Sequence, residues 1–247
     1  SYLYYADRIY QINLAIAGIA IGTVILPNLS RYIKTNNSKK INFIQNKSFE
    51  LCLFLSLPAS MALIVASEEI TSALFGYGAF DKSSVSNSAK ALYFFSFGLP
   101  AFALIKVFST FLFARNNTKT PFYYSLVSVV INIAISVLFF SEVGFVIIPI
   151  ATSISSWVNA ILLFLNLSFN NYFQMKNILN YSNLKIILAS IISIYIFNLL
   201  INSFENYLVY ESDLKLIAII LLVCITVLVY IFIALITKTF KYSDIKL

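Results

Sequence analysis

Apolar residues in this chain come in long runs and not at alternating or heptad spacing. Seven runs stand out, at about 8–29, 48–66, 88–113, 121–141, 143–168, 184–203 and 214–237. Each is close to the twenty or so residues that a helix needs to cross the hydrocarbon of a bilayer, and short segments carrying most of the charge separate them. The pattern predicts an all-α fold, a polytopic transmembrane bundle of about seven helices. Thr120 followed by Pro121 reads as an N-cap with proline at the first helical position. Gly144 marks a tight turn between the fourth and fifth runs, and Pro27 lies near the end of the first. Pro58, Pro100 and Pro149 fall inside runs and predict kinks.

Composition sharpens this reading. Of 247 residues, 60% are hydrophobic and 11% charged, with a mean hydropathy of +0.87, whereas soluble domains sit nearer half apolar and a quarter charged. Histidine is absent, which removes the commonest metal ligand and general base. There is no His-Glu-x-x-His, no pair of buried aspartates and no nucleophile beside a base, so the chain reads as a non-enzyme without metal or cofactor. Cys52 and Cys224 both lie in apolar runs and read as packing or lipid-facing residues, not as a disulfide. A net charge of +7 in a soluble protein would raise nucleic acid as a partner; here the loops account for it.

The loops alternate in sign. Arg31, Lys34, Lys39, Lys40 and Lys47 follow the first run, Arg115 and Lys119 the third, Lys176 and Lys185 the fifth, and Lys238, Lys241 and Lys246 the seventh. These are twelve of the seventeen Lys and Arg. The intervening loops hold Glu68, Glu69 and Asp81, then Glu142, then Glu205, Glu211 and Asp213, which are seven of the ten acids. By the positive-inside rule the first helix enters from outside and the C-terminus is cytoplasmic. A first helix that runs inward, with Ser at position 1, leads us to expect a piece whose N-terminal part is missing.

Charges within membrane segments are costly and mark polar paths or substrate sites. Asp7 and Arg8 open the first run, where Arg8 is either a snorkelling interfacial residue beside Asp7 or a substrate contact. Lys106 lies deep in the third run with apolar flanks and suggests a water-filled cavity over a packing ion pair. Gly18 and Gly22, followed by Thr23, make a Gly-x-x-x-Gly pair that permits close helix approach. Asn132 and Ser136 share a face at four-residue spacing, and the next run offers Thr152 and Ser153. These oxygens could bond between helices or ligate a small cation, and without a carboxylate the interhelical bond is the better reading.

Three stretches together resemble the MurJ (MviN) family of lipid II flippases, within the multidrug/oligosaccharidyl-lipid/polysaccharide exporter superfamily. The first is Tyr4-Tyr5-Ala6-Asp7-Arg8 with Gly18 to Ser30, similar to the family's YYADR…GIALGTVLLPxLS. The second is Leu74 to Phe80, similar to LFxxGxF. The third is Lys106-Val107 through Phe113 to Pro121, similar to K(V/I)…FYAxxDTKTP. The match is close over 1–31 and 106–165, and hydropathy alone supports it from about 170 onward.

The resemblance implies a fourteen-helix, two-lobe transporter that moves undecaprenyl-linked peptidoglycan precursor from the inner to the outer leaflet by alternating access. This chain would supply an incomplete C-terminal lobe over 1–168 (family helices eight to twelve). Residues 169–247 would be two further helices forming a lipid-tail groove. Arg8 would bind substrate by gripping its diphosphate with its guanidinium, and Asp7 and Lys106 would belong to the same substrate-binding set. Gly18, Gly22 and Arg115 would serve packing and gating. Asn132, Ser136 and Thr152 would be the place for a coupling cation, with a monovalent ion or the membrane potential as the energy source. Two positions depart from the pattern: Asn117 stands where Asp is usual, and Ser136 where a carboxylate or Asn would help. The expected partners are lipid II, membrane lipids and the missing lobe, in the bacterial cytoplasmic membrane. The competing readings are another exporter of the superfamily and a non-transporting membrane scaffold.

Overall fold

The computed structural model describes residues 2–178 and 180–237; side chains at 13, 14, 16–24, 175 and 177 lie outside the described set. Its helices are α1 (Tyr2–Lys34), α2 (Ser38–Val65), α3 (Ser67–Phe75), α4 (Lys82–Phe113), α5 (Lys119–Val143), α6 (Ile147–Phe169), α7 (Met175–Ile178), α8 (Tyr181–Ser203), α9 (Glu205–Leu208) and α10 (Lys215–Ile236). Seven of them (α1, α2, α4, α5, α6, α8 and α10) fall on the seven apolar runs. The shortest, α10 with 22 residues, is about 33 Å long, enough to cross about 30 Å of hydrocarbon. Five segments among the described residues are both long and apolar enough to span a membrane. One of these, Lys119–Phe169, is α5 and α6 joined through a 3-10 turn at Gly144–Val146, and so provides two helices.

Two expectations about punctuation are corrected. Helix α5 begins at Lys119, before Thr120, and Asn117 supplies its cap: the Thr120 N–H donates to Asn117 Oδ1 at 3.1 Å, and Asn117 Nδ2 donates to Thr120 Oγ1 at 2.9 Å. An amide can do both at once, so the Asn at this position still orders the loop. Pro149 is the third residue of α6, in the first turn where no helical partner is lost, so it is not a kink site. Helix α3 was not anticipated. Its Ser67-Glu68-Glu69 start places acids in the first turn, where the helix dipole favours them.

Helix ends gather at two poles. At one, Tyr5 packs its ring on Phe75 and Phe80 (4.9 and 4.7 Å), Tyr2 meets Phe145, and Lys82 pairs with Glu211 at 3.0 Å. That pole unites the start of α1, the α3–α4 loop, the α5–α6 turn and the α9–α10 loop, which carry the acids. At the other pole Arg115 lies over Tyr172, Asn180 Nδ2 donates to Glu50 Oε1, and Lys185 Nζ donates to the Thr237 carbonyl. That pole carries the loop cations Arg31, Lys34, Lys39, Lys40, Lys47, Arg115, Lys119, Lys176 and Lys185. Lys238, Lys241 and Lys246 lie outside the described residues. The alternating loop charges are therefore the two ends of one bundle.

Helix α4 is the axis, packed by α1, α2 and α6. Pro100 has no N–H, which leaves the Ser96 carbonyl without its helical donor. Ser60 Oγ from α2 donates to it at 2.6 Å. From α6, Ser153 Oγ donates to the Phe94 carbonyl and Trp157 Nε1 to the Phe97 carbonyl, at 2.6 and 2.9 Å. The approach is close enough that a Cβ on Gly98 would lie 2.8 Å from Ser153 Oγ and 3.1 Å from its Cα. Near the basic pole, the fully buried Phe173 plugs the bundle among Phe49, Phe108, Phe111 and Phe164. Helix α5 leans outward on α6, and α8 and α10 pack as a pair on α2 and α3.

Candidate functional site

Between α2, α8 and α10 lies an apolar groove of about 550 Å³. Its back wall is α8, where Ser190, Ser193 and Phe197 are buried; Phe54, Pro58 and Ala62 come from α2, and Ile219, Val223, Val227 and Tyr230 from α10. The serine hydroxyls do not make the wall polar, because Ser190 and Ser193 donate to their own helix at the Ile186 and Ala189 carbonyls. Leu74 and Ile70 of α3 close the groove toward the acidic pole. Ile9 and Ile12 of α1 also line it, so the groove reaches the helix that carries Arg8.

Arg8 is exposed. It donates from Nη2 to Tyr4 Oη at 3.1 Å, and its guanidinium lies 4.8 Å from the Tyr4 ring centre. Asp7 accepts from Gln11 Nε2, so these neighbours turn to different partners. Tyr4, Arg8, Gln11 and Ala15 form one exposed stripe at helical spacing, and Ile12 sits one turn from Arg8. Lys106 is also exposed, and its ammonium makes no hydrogen bond or ion pair among the described residues; its carbonyl accepts from Thr110 Oγ1 at 2.8 Å. The two cations are at different depths. Tyr10 rings against Phe95 and Phe102, which places Lys106 on the order of 10–15 Å further toward the basic pole than Arg8. Asp7 and Arg8 are chain neighbours with different partners, and Lys106 is apart from them.

Gly18 and Gly22 fall within α1, but their surroundings lie outside the described residues. Arg115 donates from Nη1 to the Phe111 carbonyl at 2.7 Å and lies 4.2 Å from the Tyr172 ring centre. Burial pulls its pKa down, and the Tyr172 phenol works in the opposite direction. It closes the C-terminal end of α4 and ties the α4–α5 loop to the segment after α6.

Asn132 and Thr152 meet across α5 and α6. Asn132 Nδ2 donates to Thr152 Oγ1 at 3.0 Å, and Thr152 Oγ1 donates onward to the Ile148 carbonyl. Ser128 Oγ joins the same interface by donating to the Ser155 carbonyl at 2.7 Å. Ser136, one turn further along α5, has a buried hydroxyl outside this network. The group facing Thr152 is an amide N–H, a donor and not a ligand. This donor set is that of an interhelical bond.

The family model for the lipid II flippase MurJ matches residues 1–219. This chain belongs to the MurJ family. A probable lipid II flippase MurJ from Rhizobium tropici is 41% identical over 165 residues, 67% of this chain and 31% of that protein. One from Rhizobium meliloti (strain 1021) is 42% identical over 167 residues, 68% of this chain and 31% of that protein. A solved lipid II flippase MurJ in an inward closed conformation superposes with a TM-score of 0.77 at 27% identity, covering 99% of this chain and 47% of that one. The chain spans about a third of the length of the curated MurJ relatives it matches and about half of the solved structure. It is a multi-pass helical membrane protein of a transporter family.

The sequence reading missed the part that α2 and α3 play in the groove. The signal was present in one respect. A proline inside an apolar helix leaves the carbonyl four residues earlier without a donor, and Pro58 points in this way to Phe54, where Tyr230 Oη donates at 2.9 Å.

Proposed function

We propose that the protein to which this chain belongs flips lipid II, the undecaprenyl diphosphate-linked peptidoglycan precursor, from the inner to the outer leaflet by alternating access. One observation carries the reading: an apolar groove that ends one helical turn from an exposed guanidinium. An amphiphile with a long hydrocarbon tail and an anionic head needs that pairing. The tail lies along α2, α8 and α10, and Arg8 takes diphosphate oxygens through parallel hydrogen bonds. In this proposal residues 1–168 form lobe helices and residues 169–247 the tail-binding unit.

The basic pole is the cytoplasmic one, by the positive-inside rule, which puts the C-terminus in the cytoplasm of a bacterial inner membrane. Lys106 then stands nearer the cytoplasm and Arg8 nearer the outside. The diphosphate meets Lys106 before Arg8 as the cavity turns outward, so the two cations act in succession and not as one clamp. Neither makes an ion pair among the described residues. Energy comes from a monovalent cation or the membrane potential, and the Asn132–Thr152 pair takes no part as a cation site. A purely scaffolding role would leave no reason for a groove beside α1.

The test is complementation. The chain, joined to the family's N-terminal lobe, is expressed in cells depleted of their own flippase. Wild type should restore growth, Arg8→Ala should not, and Arg8→Lys should restore it partly, because a lysine cannot grip two oxygens in one plane. Equal rescue by wild type and Arg8→Ala would remove the diphosphate role.

A further inference from the structure

Helix α10 is the most apolar of the spans among the described residues, with a window of mean hydropathy 3.3. In a bilayer lipid is as good a neighbour as another apolar helix, so packing alone fixes the sliding and rotation of such a helix weakly. Yet one face of α10 is selected: Ile219, Leu222 and Ala234 are buried, while Ile217, Leu221, Leu228 and Leu235 are exposed. Two polar side chains leave α10 on the buried side. Lys215, its first residue, is 2% exposed and donates from Nζ to the Gly76 and Tyr210 carbonyls, at 2.6 Å each. Its ammonium also lies 4.3 and 4.6 Å from the ring centres of Tyr77 and Tyr210. Fifteen residues later, just over four turns on and so on nearly the same side, Tyr230 Oη donates to the Phe54 carbonyl freed by Pro58.

The socket for Lys215 is built into the Leu74–Phe80 motif. A Cβ at Gly76 would lie 2.6 Å from the Ser72 carbonyl and 3.1 Å from the Tyr210 ring, so a side chain there would push Tyr210 out. Tyr210 Oη in turn donates to the Phe80 carbonyl at 2.9 Å. This arrangement is expensive. A buried ammonium is desolvated, a cation at a helix N-terminus opposes the dipole, and Lys215 makes no ion pair among the described residues, with Glu211 bonded to Lys82 and acting on Lys215 only at longer range. An apolar residue would avoid both costs. What it could not do is name one position along the helix.

We infer that Lys215 and Tyr230 are positioning residues that set the register of α10, and with it which side chains wall the groove. A slip of one residue turns the helix by about 100°, and would carry Ile219, Val223 and Val227 out of the wall. The inference rests on these contacts and not on what the groove holds.

The resident Cys224, which lines the groove, provides the readout in the full-length protein. With Cys52 replaced by Ala, single cysteines at Ala59, Ala62 and Ile194 are bridged to Cys224 by a short bis-maleimide. In wild type one partner should dominate. Lys215→Met and Tyr230→Phe should each spread the yield to the others, lowering the dominant product by about threefold, the ratio that a typical interhelical bond of ~0.6 kcal/mol supplies. Lys215→Arg, which keeps the donors, should leave the pattern in place. Should Lys215→Met fail to assemble, Tyr230→Phe decides, because it retains the ring that packs on Phe54 at 4.7 Å. An unchanged yield ratio in Tyr230→Phe overturns the inference. No substrate enters this experiment. A spread pattern with undiminished growth rescue would uphold the register role and remove the groove from the transport cycle.

Discussion

Helix α5 rests on the body mainly through α6, with Val130, Val137, Leu138 and other large side chains turned outward. Apolar contact cannot hold it firmly where lipid competes, so polar bonds across α5 and α6 should be measurable. The Asn132–Thr152 bond is 3.0 Å long, while the second contact from the same amide to Ser155 Oγ, at 3.4 Å, is at the edge of bonding distance and adds little. Such bonds average ~0.6 kcal/mol in membrane helices and reach ~1.7. We therefore expect a coupling in that range, a factor of about 3 to 18 in the unfolding equilibrium. The assay is a double-mutant cycle with Asn132→Leu and Thr152→Val, read by reversible unfolding of the full-length protein in bicelles. Thr152→Val also removes the bond to the Ile148 carbonyl, but that loss occurs in both arms and cancels. Run in sodium and again in choline, the cycle should give the same value. A coupling of zero would refute the bond, and a coupling present only in sodium would show that these oxygens serve a cation.

Three further outcomes are expected. Phe173→Ala, which empties the centre of the aromatic cluster at the basic pole, should cost about 3–5 kcal/mol in the same unfolding assay; a loss under about 1 would mean that the segment after α6 does not plug the bundle. Ser60→Ala should cost about 1–3 kcal/mol by orphaning the Ser96 carbonyl, and distinctly less in a Pro100→Ala background, where the helix supplies its own donor; equal costs would break the link between the two residues. At the acidic pole, Ser84 holds Asp81 below the ordinary carboxylate range and Lys82 does the same for Glu211. A depressed native pKa contributes stability that is complete above the unfolded values, near 3.8 and 4.5, and is lost as pH falls through the native ones. Acidification below those values should loosen the α3–α4 and α9–α10 loops by hydrogen exchange. Glu211→Gln should remove its part of that dependence, and an unchanged profile would show the ion pair to be idle.

Helix number was legible because a bilayer demands about twenty apolar residues per crossing, a constraint that acts on the sequence locally. Helix ends were less legible. Asn117, not Thr120, caps α5, since two residues within three of each other both have the chemistry to cap and loop geometry chooses between them. The interhelical bond of Asn132 with Thr152 was anticipated from residue type, but its separation from Ser136 was not, because a shared face does not show which turn the neighbouring helix meets. Arg8 and Lys106 were both recognisable as charges in apolar surroundings. That they stand at different depths depends on how α1 lies along α4, which Tyr10, Phe95 and Phe102 settle by packing.

By itself the sequence determined the all-helical membrane class, the number of long helices and the sorting of loop charge into two alternating sets, since each follows from desolvation along a single segment. The motifs around Arg8 and Lys106 also sufficed to point to the family. Only the tertiary structure decided that the groove is shared by α2, α3, α8 and α10, and that the carbonyls freed by Pro58 and Pro100 are met by Tyr230 and Ser60. It alone seated Lys215 in the Gly76–Tyr77 turn. The physical reason is common to all of these. Each is a pairing between residues far apart in the chain, and the identity of the partner is set by which helix faces meet and not by any property of the residue alone.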